Sequence, residues 1–139
     1  PLHGTGIRIM QRALASYGIK TTLVEEQSQP DGAFSKVKSP NPEEPEALEL
    51  GTQKLMEENG DLLLGTDPDA DRVGAAILHE KKPIFLTGNQ IASLCLHHIC
   101  EAFVQKGGLP PHSACSKTIV TTELFKKIGE SYGACCFDV

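Results

Sequence analysis

Two short apolar runs, residues 62–64 and 73–78, are separated by Thr66-Asp67-Pro68-Asp69-Ala70-Asp71-Arg72. Neither run is long enough for a buried helix. Each reads as a strand, the first as a continuous, fully buried one. A sheet in which a tight acidic connection joins consecutive strands is the strongest constraint on the fold.

The flanking segments add helices. Ile7, Met10, Leu14 and Tyr17 recur at helical spacing, so the pattern predicts a helix over 5–17, stopped by Gly18. A strand is predicted over 21–25. Residues 27–42 contain three prolines and read as a long binding loop or lid. A second helix is predicted from near Glu43 to Asn59-Gly60. Pro45 suits its first turn, and Glu43, Glu44 and Glu46 suit the positive end of its dipole. A turn over 80–83 and a strand over 84–86 follow. Asn89 is a candidate cap for a helix reaching about Val104. Gly107-Gly108-Leu109-Pro110-Pro111 reads as a linker. Beyond it come a strand over 117–121, a helix over 122–132 and a strand over 134–139. This alternation predicts an α/β fold of stacked layers. It divides the chain into a nearly complete domain over 1–108, a linker over 109–116 and the opening of a second domain over 117–139.

Composition removes several functions. The 139 residues carry 13 Lys+Arg against 18 Asp+Glu, and no basic run exceeds two. A nucleic-acid partner is not expected, because backbone binding needs a basic patch. No apolar run approaches the ~20 residues of a membrane helix. The cysteines are Cys95, Cys100, Cys115, Cys135 and Cys136. Their odd count and irregular spacing point to reduced thiols and a cytoplasmic setting. Cys135 and Cys136 are expected to be buried fillers rather than reactive groups.

Asp67, Asp69 and Asp71 carry the chemistry. Three carboxylates at i, i+2 and i+4 repel one another unless a cation intervenes, and hard divalent cations prefer oxygen ligands. Alternate residues of an extended loop project to one side. Pro68 stiffens the loop and Ala70 keeps its far side small. Arg72 offers a forked cation suited to a phosphate sharing the metal. A solvated acidic turn is the plainer alternative. A calcium EF-hand is excluded, since its loop positions six and twelve would be Arg72 and Leu78 where Gly and Glu are needed. A haloacid-dehalogenase-type phosphatase, with the first Asp of an Asp-x-Asp pair as nucleophile, fits the strand-to-loop step. Asp71 stands where that family has Thr or Val. A non-catalytic metal-binding domain is the third reading.

Asp67-Pro68-Asp69-Ala70-Asp71-Arg72 resembles the metal loop of the α-D-phosphohexomutase superfamily, the phosphoglucomutases and phosphomannomutases. Pro1-Leu2-His3-Gly4-Thr5-Gly6 resembles the turn opening the first helix of that family's second domain. Pro30-Asp31-Gly32-Ala33-Phe34 and Ser39-Pro40-Asn41-Pro42-Glu43 resemble its proline-rich loop, and Leu86-Thr87-Gly88-Asn89-Gln90 the step into the next helix. Lys117-Thr118-Ile119-Val120-Thr121-Thr122 resembles the first strand of the third domain. The forms look most like the bacterial branch.

The resemblance implies a three-layer αβα sandwich with a mixed sheet, its first strand lying ahead of Pro1, followed by the start of a similar domain. It implies Mg2+ held by Asp67, Asp69 and Asp71 together with a phosphoserine, and Arg72 in contact with the transferred phosphoryl group. It implies interconversion of hexose 1-phosphate and hexose 6-phosphate, with hexose 1,6-bisphosphate as intermediate and activator. The partners it implies are hexose phosphates and the remaining domains of a longer chain. No Ser-His-Asn-Pro segment is present, so the 139 residues alone are expected to be inactive. Phosphoryl transfer needs charge neutralised on the moving oxygens by a metal and by Arg or Lys, which agrees with this assignment. His3-Gly4-Thr5-Gly6 could hold an anion but is better read as a packing turn. His97 and His98 are expected to be surface or core residues, and Lys36 and Lys38 solvated.

Overall fold

The computed structural model describes all 139 residues. They form two compact units, Pro1–Thr87 and Gly88–Val139. The α/β class is observed, with one antiparallel and one parallel sheet.

In the first unit, α1 (Ile7–Ser16) is followed by irregular chain and a 3-10 turn at Glu25–Gln27. A second 3-10 turn, Pro45–Leu48, leads directly into α2 (Glu49–Glu57). Strands β1 (Leu62–Thr66), β2 (Val73–His79) and β3 (Lys82–Leu86) form an antiparallel meander with β2 at its centre. The register pairs Leu64 with Ala75 and Thr66 with Val73, so the acidic connection closes directly onto the paired strand ends. Leu2, Ala47 and Leu48 form the core, with Val37, Leu63 and Phe85 packed against them. The proline-rich loop lies on the sheet. A Cβ on Gly74 would collide with the Pro42 carbonyl oxygen, so glycine is what lets the loop approach.

Two sequence expectations change here. Residues 21–25 do not form a strand. Strand geometry persists where a ladder satisfies the backbone, and this segment has no ladder partner. The 62–64 run is buried on one face only. Leu63 packs against Gly51 of α2, whereas Leu62 and Leu64 are 52% and 36% exposed. The edge of β1 away from β2 is engaged at its end, where Leu2 N–H donates to the Thr66 carbonyl at 2.8 Å. α1 has no fully buried residue, although Ile7, Met10 and Leu14 share one side.

The second unit contains α3 (Gly88–Gln105), β4 (Ala114–Lys117), α4 (Glu123–Ser131) and β5 (Cys135–Asp138). β4 and β5 pair in parallel, with Cys115 opposite Cys136 and Lys117 opposite Asp138. α3 packs against α4. The predicted 117–121 strand is displaced to Ala114–Lys117, because Thr118 N-terminal to α4 begins a turn closed by Thr121 N–H to the Thr118 carbonyl. Thr122 caps α4, its Oγ1 accepting from Leu124 N–H at 3.2 Å. Asn89 does not cap α3. It lies inside the helix, and its Oδ1 accepts from Thr122 N–H at 2.9 Å. Cys135 is exposed rather than buried; Cys100 is buried, and Cys115 and Cys136 are half-buried. No helix is long and apolar enough to cross a membrane.

Candidate metal centre

The strand ends of β1 and β2 set the acidic loop. Asp67-Pro68-Asp69-Ala70 is a turn closed by Ala70 N–H to the Asp67 carbonyl at 3.1 Å. Proline suits its second position, where φ is already near the required value. Ala70 takes a left-handed conformation, φ +61°, which reverses the chain and returns Asp71 toward Asp67. The first turn of the chain clamps this loop. Thr5 donates to the Pro68 carbonyl through its N–H at 2.9 Å and its hydroxyl at 3.2 Å. A Cβ on Gly4 would stand 2.6 Å from Pro68 Cα and 2.7 Å from the Asp67 oxygen. Packing is thus the observed role of this glycine turn.

Asp67 is the only one of the three aspartates that is buried, at 1% exposure. Its Oδ1 accepts from Arg72 N–H at 3.0 Å and its Oδ2 from Arg72 Nε at 2.8 Å. Burial by itself would raise this carboxyl, but the two Arg72 bonds, joined by hydrogen bonds with Asp71 and Asp69, outweigh it and hold the group at about 2. Asp71 moves the other way. Its hydrogen bond with Asp67, then the charges of Asp69 and Asp67, push it up. Arg72, bonded to Asp67, is held charged.

Oxygens from Asp67, Asp69 and Asp71 all lie within 4.8 Å of one another. Opposite ligands in an octahedral Mg2+ shell are about 4.2 Å apart, at roughly 2.1 Å from the ion each. Small rotations of the exposed Asp69 and Asp71 side chains bridge that difference. Each Asp67 oxygen keeps a lone pair after its bond to Arg72. The donor set is all carboxylate, and its exposed side leaves room for water or a phosphate oxygen. The residues therefore fit a hard divalent cation.

All four residues singled out from the sequence converge on this loop. Lys36 and Lys38 do not join it; both are exposed. His97 and His98 are exposed on α3, and His97 Nδ1 lies 2.9 Å from the Tyr132 hydroxyl. Asn41 was not anticipated. It comes from the proline-rich loop, and its Oδ1 accepts from Arg72 Nη1 at 3.4 Å. The flanking Pro40 and Pro42, which restrict the chain around it, were the available signal. His3, in the same glycine turn, is buried with φ +56°, and its Nδ1 is 3.0 Å from the Gln29 carbonyl.

The family model described as phosphoglucomutase/phosphomannomutase, alpha/beta/alpha domain II, matches residues 1–80. That is more than half of the chain. The chain belongs to the phosphoglucomutase/phosphomannomutase family. The phosphoglucomutase of Staphylococcus haemolyticus (strain JCSC1435) is 34% identical over 133 residues, covering 94% of this chain and 24% of that protein. The phosphoglucomutase of Staphylococcus aureus (strain bovine RF122 / ET3-1) is 36% identical over 129 residues, covering 91% of this chain and 23% of that protein. The chain thus spans about a quarter of the length of the curated relatives it matches. A solved phosphoglucomutase/phosphomannomutase family protein from Burkholderia thailandensis superposes with a TM-score of 0.74 at 18% identity, over 99% of this chain and 27% of that one. At that identity the likeness speaks for the fold. Family membership sets aside the haloacid-dehalogenase reading.

Proposed function

We propose that this chain is the Mg2+-carrying segment of a phosphohexomutase that interconverts hexose 1-phosphate and hexose 6-phosphate. The observation that carries the proposal is the convergence of the Asp67, Asp69 and Asp71 oxygens within 4.8 Å beside a charged Arg72. Asp67, Asp69 and Asp71 would hold the ion, whose chemistry is to neutralise charge on phosphoryl oxygens. Asp67 orients Arg72 by binding its backbone and its Nε. The remaining guanidinium nitrogens are half-exposed and suit phosphate oxygens. Asn41 limits the swing of that side chain from the other side.

The reaction runs through a phosphoserine and a hexose 1,6-bisphosphate intermediate, with the serine on a part of the longer protein outside these residues. Glucose and mannose phosphates are the candidate substrates, and the other domains of the longer chain are the partners. Residues 1–108 act as the metal-binding domain and 117–139 as the start of the next, while β4, which begins at Ala114, leaves only 109–113 of the expected 109–116 linker outside regular structure. The edge of β1 away from β2 carries no ladder partner and is engaged only at Thr66, so it could accept a further strand. The 139 residues alone are inactive, because neither the nucleophile nor a closed cleft is among them.

The decisive experiment is Asp69→Asn in the full-length protein. Isomerisation should fall by about 10²–10³-fold or more and should not recover at any Mg2+ concentration. Near-normal turnover in that variant would remove the metal assignment. Asp67 as a phosphatase nucleophile is disfavoured on separate grounds, since both its oxygens are bonded to Arg72 and it is buried.

A further inference from the structure

In the second unit two thiols meet across the parallel sheet. Cys115 and Cys136 are register partners on β4 and β5, so their side chains leave the sheet on the same face. Their sulfurs are 2.7 Å apart. Gly129 of α4 lies directly over them. A Cβ there would stand 2.6 Å from the Cys136 sulfur and 2.9 Å from the Cys115 sulfur, so the absent side chain leaves room for the pair. Cys136 also donates to the Lys126 carbonyl at 3.5 Å, which directs the Cys115 S–H at the Cys136 sulfur. Cys95 and Cys135 are exposed and not engaged in this contact, and Cys100 is buried.

We propose that Cys115 and Cys136 form a reversible intrachain disulfide, a redox-sensitive staple across β4 and β5, when the protein meets a hydroperoxide. The inference is independent of the mutase assignment. The pairing satisfies the main requirement for a bridge, which is that two side chains start from adjacent backbone and point together. The Cys136 thiol first gives its proton to solvent; the thiolate then attacks one oxygen of hydrogen peroxide, an S–O bond forms, the O–O bond breaks, and the hydroxide that leaves takes a proton from solvent to become water. Cys136 is then a sulfenic acid. Cys115 sulfur attacks that sulfur; the S–S bond forms, the S–O bond breaks and a second water leaves. Two thiols are oxidised and one hydroperoxide is reduced. Burial, and then the hydrogen bond with Cys136, push the Cys115 thiol up to about 12, so first attack falls to Cys136, and Cys115 gives up its proton only as the S–S bond forms.

The bridge closes a loop spanning 21 positions that holds all of α4. It tethers two short strands otherwise held by backbone pairing and by the Lys117–Asp138 ion pair.

The test is hydrogen peroxide treatment of the 139-residue chain, followed by alkylation and peptide mass analysis without reduction. A cross-linked peptide pair containing Cys115 and Cys136, lighter by two hydrogens and reopened by dithiothreitol, is the expected product. Cys95→Ser and Cys135→Ser should leave it unchanged, and Cys115→Ala and Cys136→Ala should each abolish it. Amide exchange in β4 and β5 should slow by about tenfold or more on oxidation. The proposal is overturned if both sulfurs stay alkylatable after Cys95 or Cys135 has reacted. It is overturned equally by irreversible sulfinic acid at Cys136, or by a disulfide between chains through Cys135. Should Cys115→Ala fail to fold, the wild-type peptide map still decides.

Discussion

Each unit contains one charge cluster built on a buried ionic group, and the two clusters differ in balance. In the second unit Lys117 is 6% exposed and contacts Glu123 at 2.7 Å and Asp138 at 2.8 Å. Lys126 adds a contact to Asp138 at 3.1 Å. Two ammonium groups face two carboxylates there, and the charges cancel. In the first unit three carboxylates face one guanidinium, an excess of two negative charges. The Asp138 carboxyl is accordingly lowered by Lys117 and Lys126, while Asp71 is raised by its acidic neighbours. A balanced cluster is explained by packing alone. An unbalanced one supports the proposal that a cation joins Asp67, Asp69 and Asp71.

The contrast can be broken most strongly at Asp69. After the activity loss expected of Asp69→Asn in the full-length protein, the next largest effect belongs to Asp67→Ala. This change removes the acceptor of Arg72 N–H and Nε together, and should lower stability by about 1–3 kcal/mol, read by urea denaturation. A midpoint unchanged from wild type would mean that the buried carboxylate does not anchor the loop.

Asp71→Asn should act in opposite senses with and without metal. It relieves repulsion among the three carboxylates, so without Mg2+ the melting temperature should rise. It also removes a ligand, so the further rise that Mg2+ gives the wild type by mass action should shrink or vanish. Thermal melts with and without Mg2+ check both. An undiminished Mg2+ response in this variant would take Asp71 out of the ligand set.

The pH dependence sharpens the same point. Asp67 has a folded value of about 2, below the ordinary carboxylate value of about 3.9. Its contribution is therefore complete above about pH 4 and is lost as pH falls toward 2. Asp31, held at about 2 by Ser35 and Ala33, contributes with the same sign. Asp71 has the opposite sign, since its raised folded value makes its charged form unfavourable. Asp67→Asn should flatten the acid limb of melting temperature against pH without abolishing it.

The smallest effect is expected at Lys117→Met. The partners Glu123 and Asp138 keep 71% and 55% of their side-chain surface, so water can solvate both when the ammonium is gone. Exchanging a buried ion for an apolar group of similar length is often neutral. A thermal melt should move little, and Mg2+ binding in the first unit should not move at all.

The sequence alone determined the helices whose apolar spacing is internal to them and the strands flanking the acidic loop. It also determined which residues form the loop, because Asp67, Asp69, Asp71 and Arg72 are joined by a six-residue segment that a turn must bring together. Tertiary structure decided the differences among them. Asp67 became the buried anchor because its oxygens meet Arg72, while Asp69 and Asp71 stayed exposed. Tertiary structure also brought Asn41 to Arg72, 31 positions along the chain, and Cys115 to Cys136, 21 positions apart. The residues at 21–25 have strand-like composition yet form no strand. Periodicity records what one segment can do with its own backbone and side chains. Pairing and burial depend on which distant segment arrives beside it.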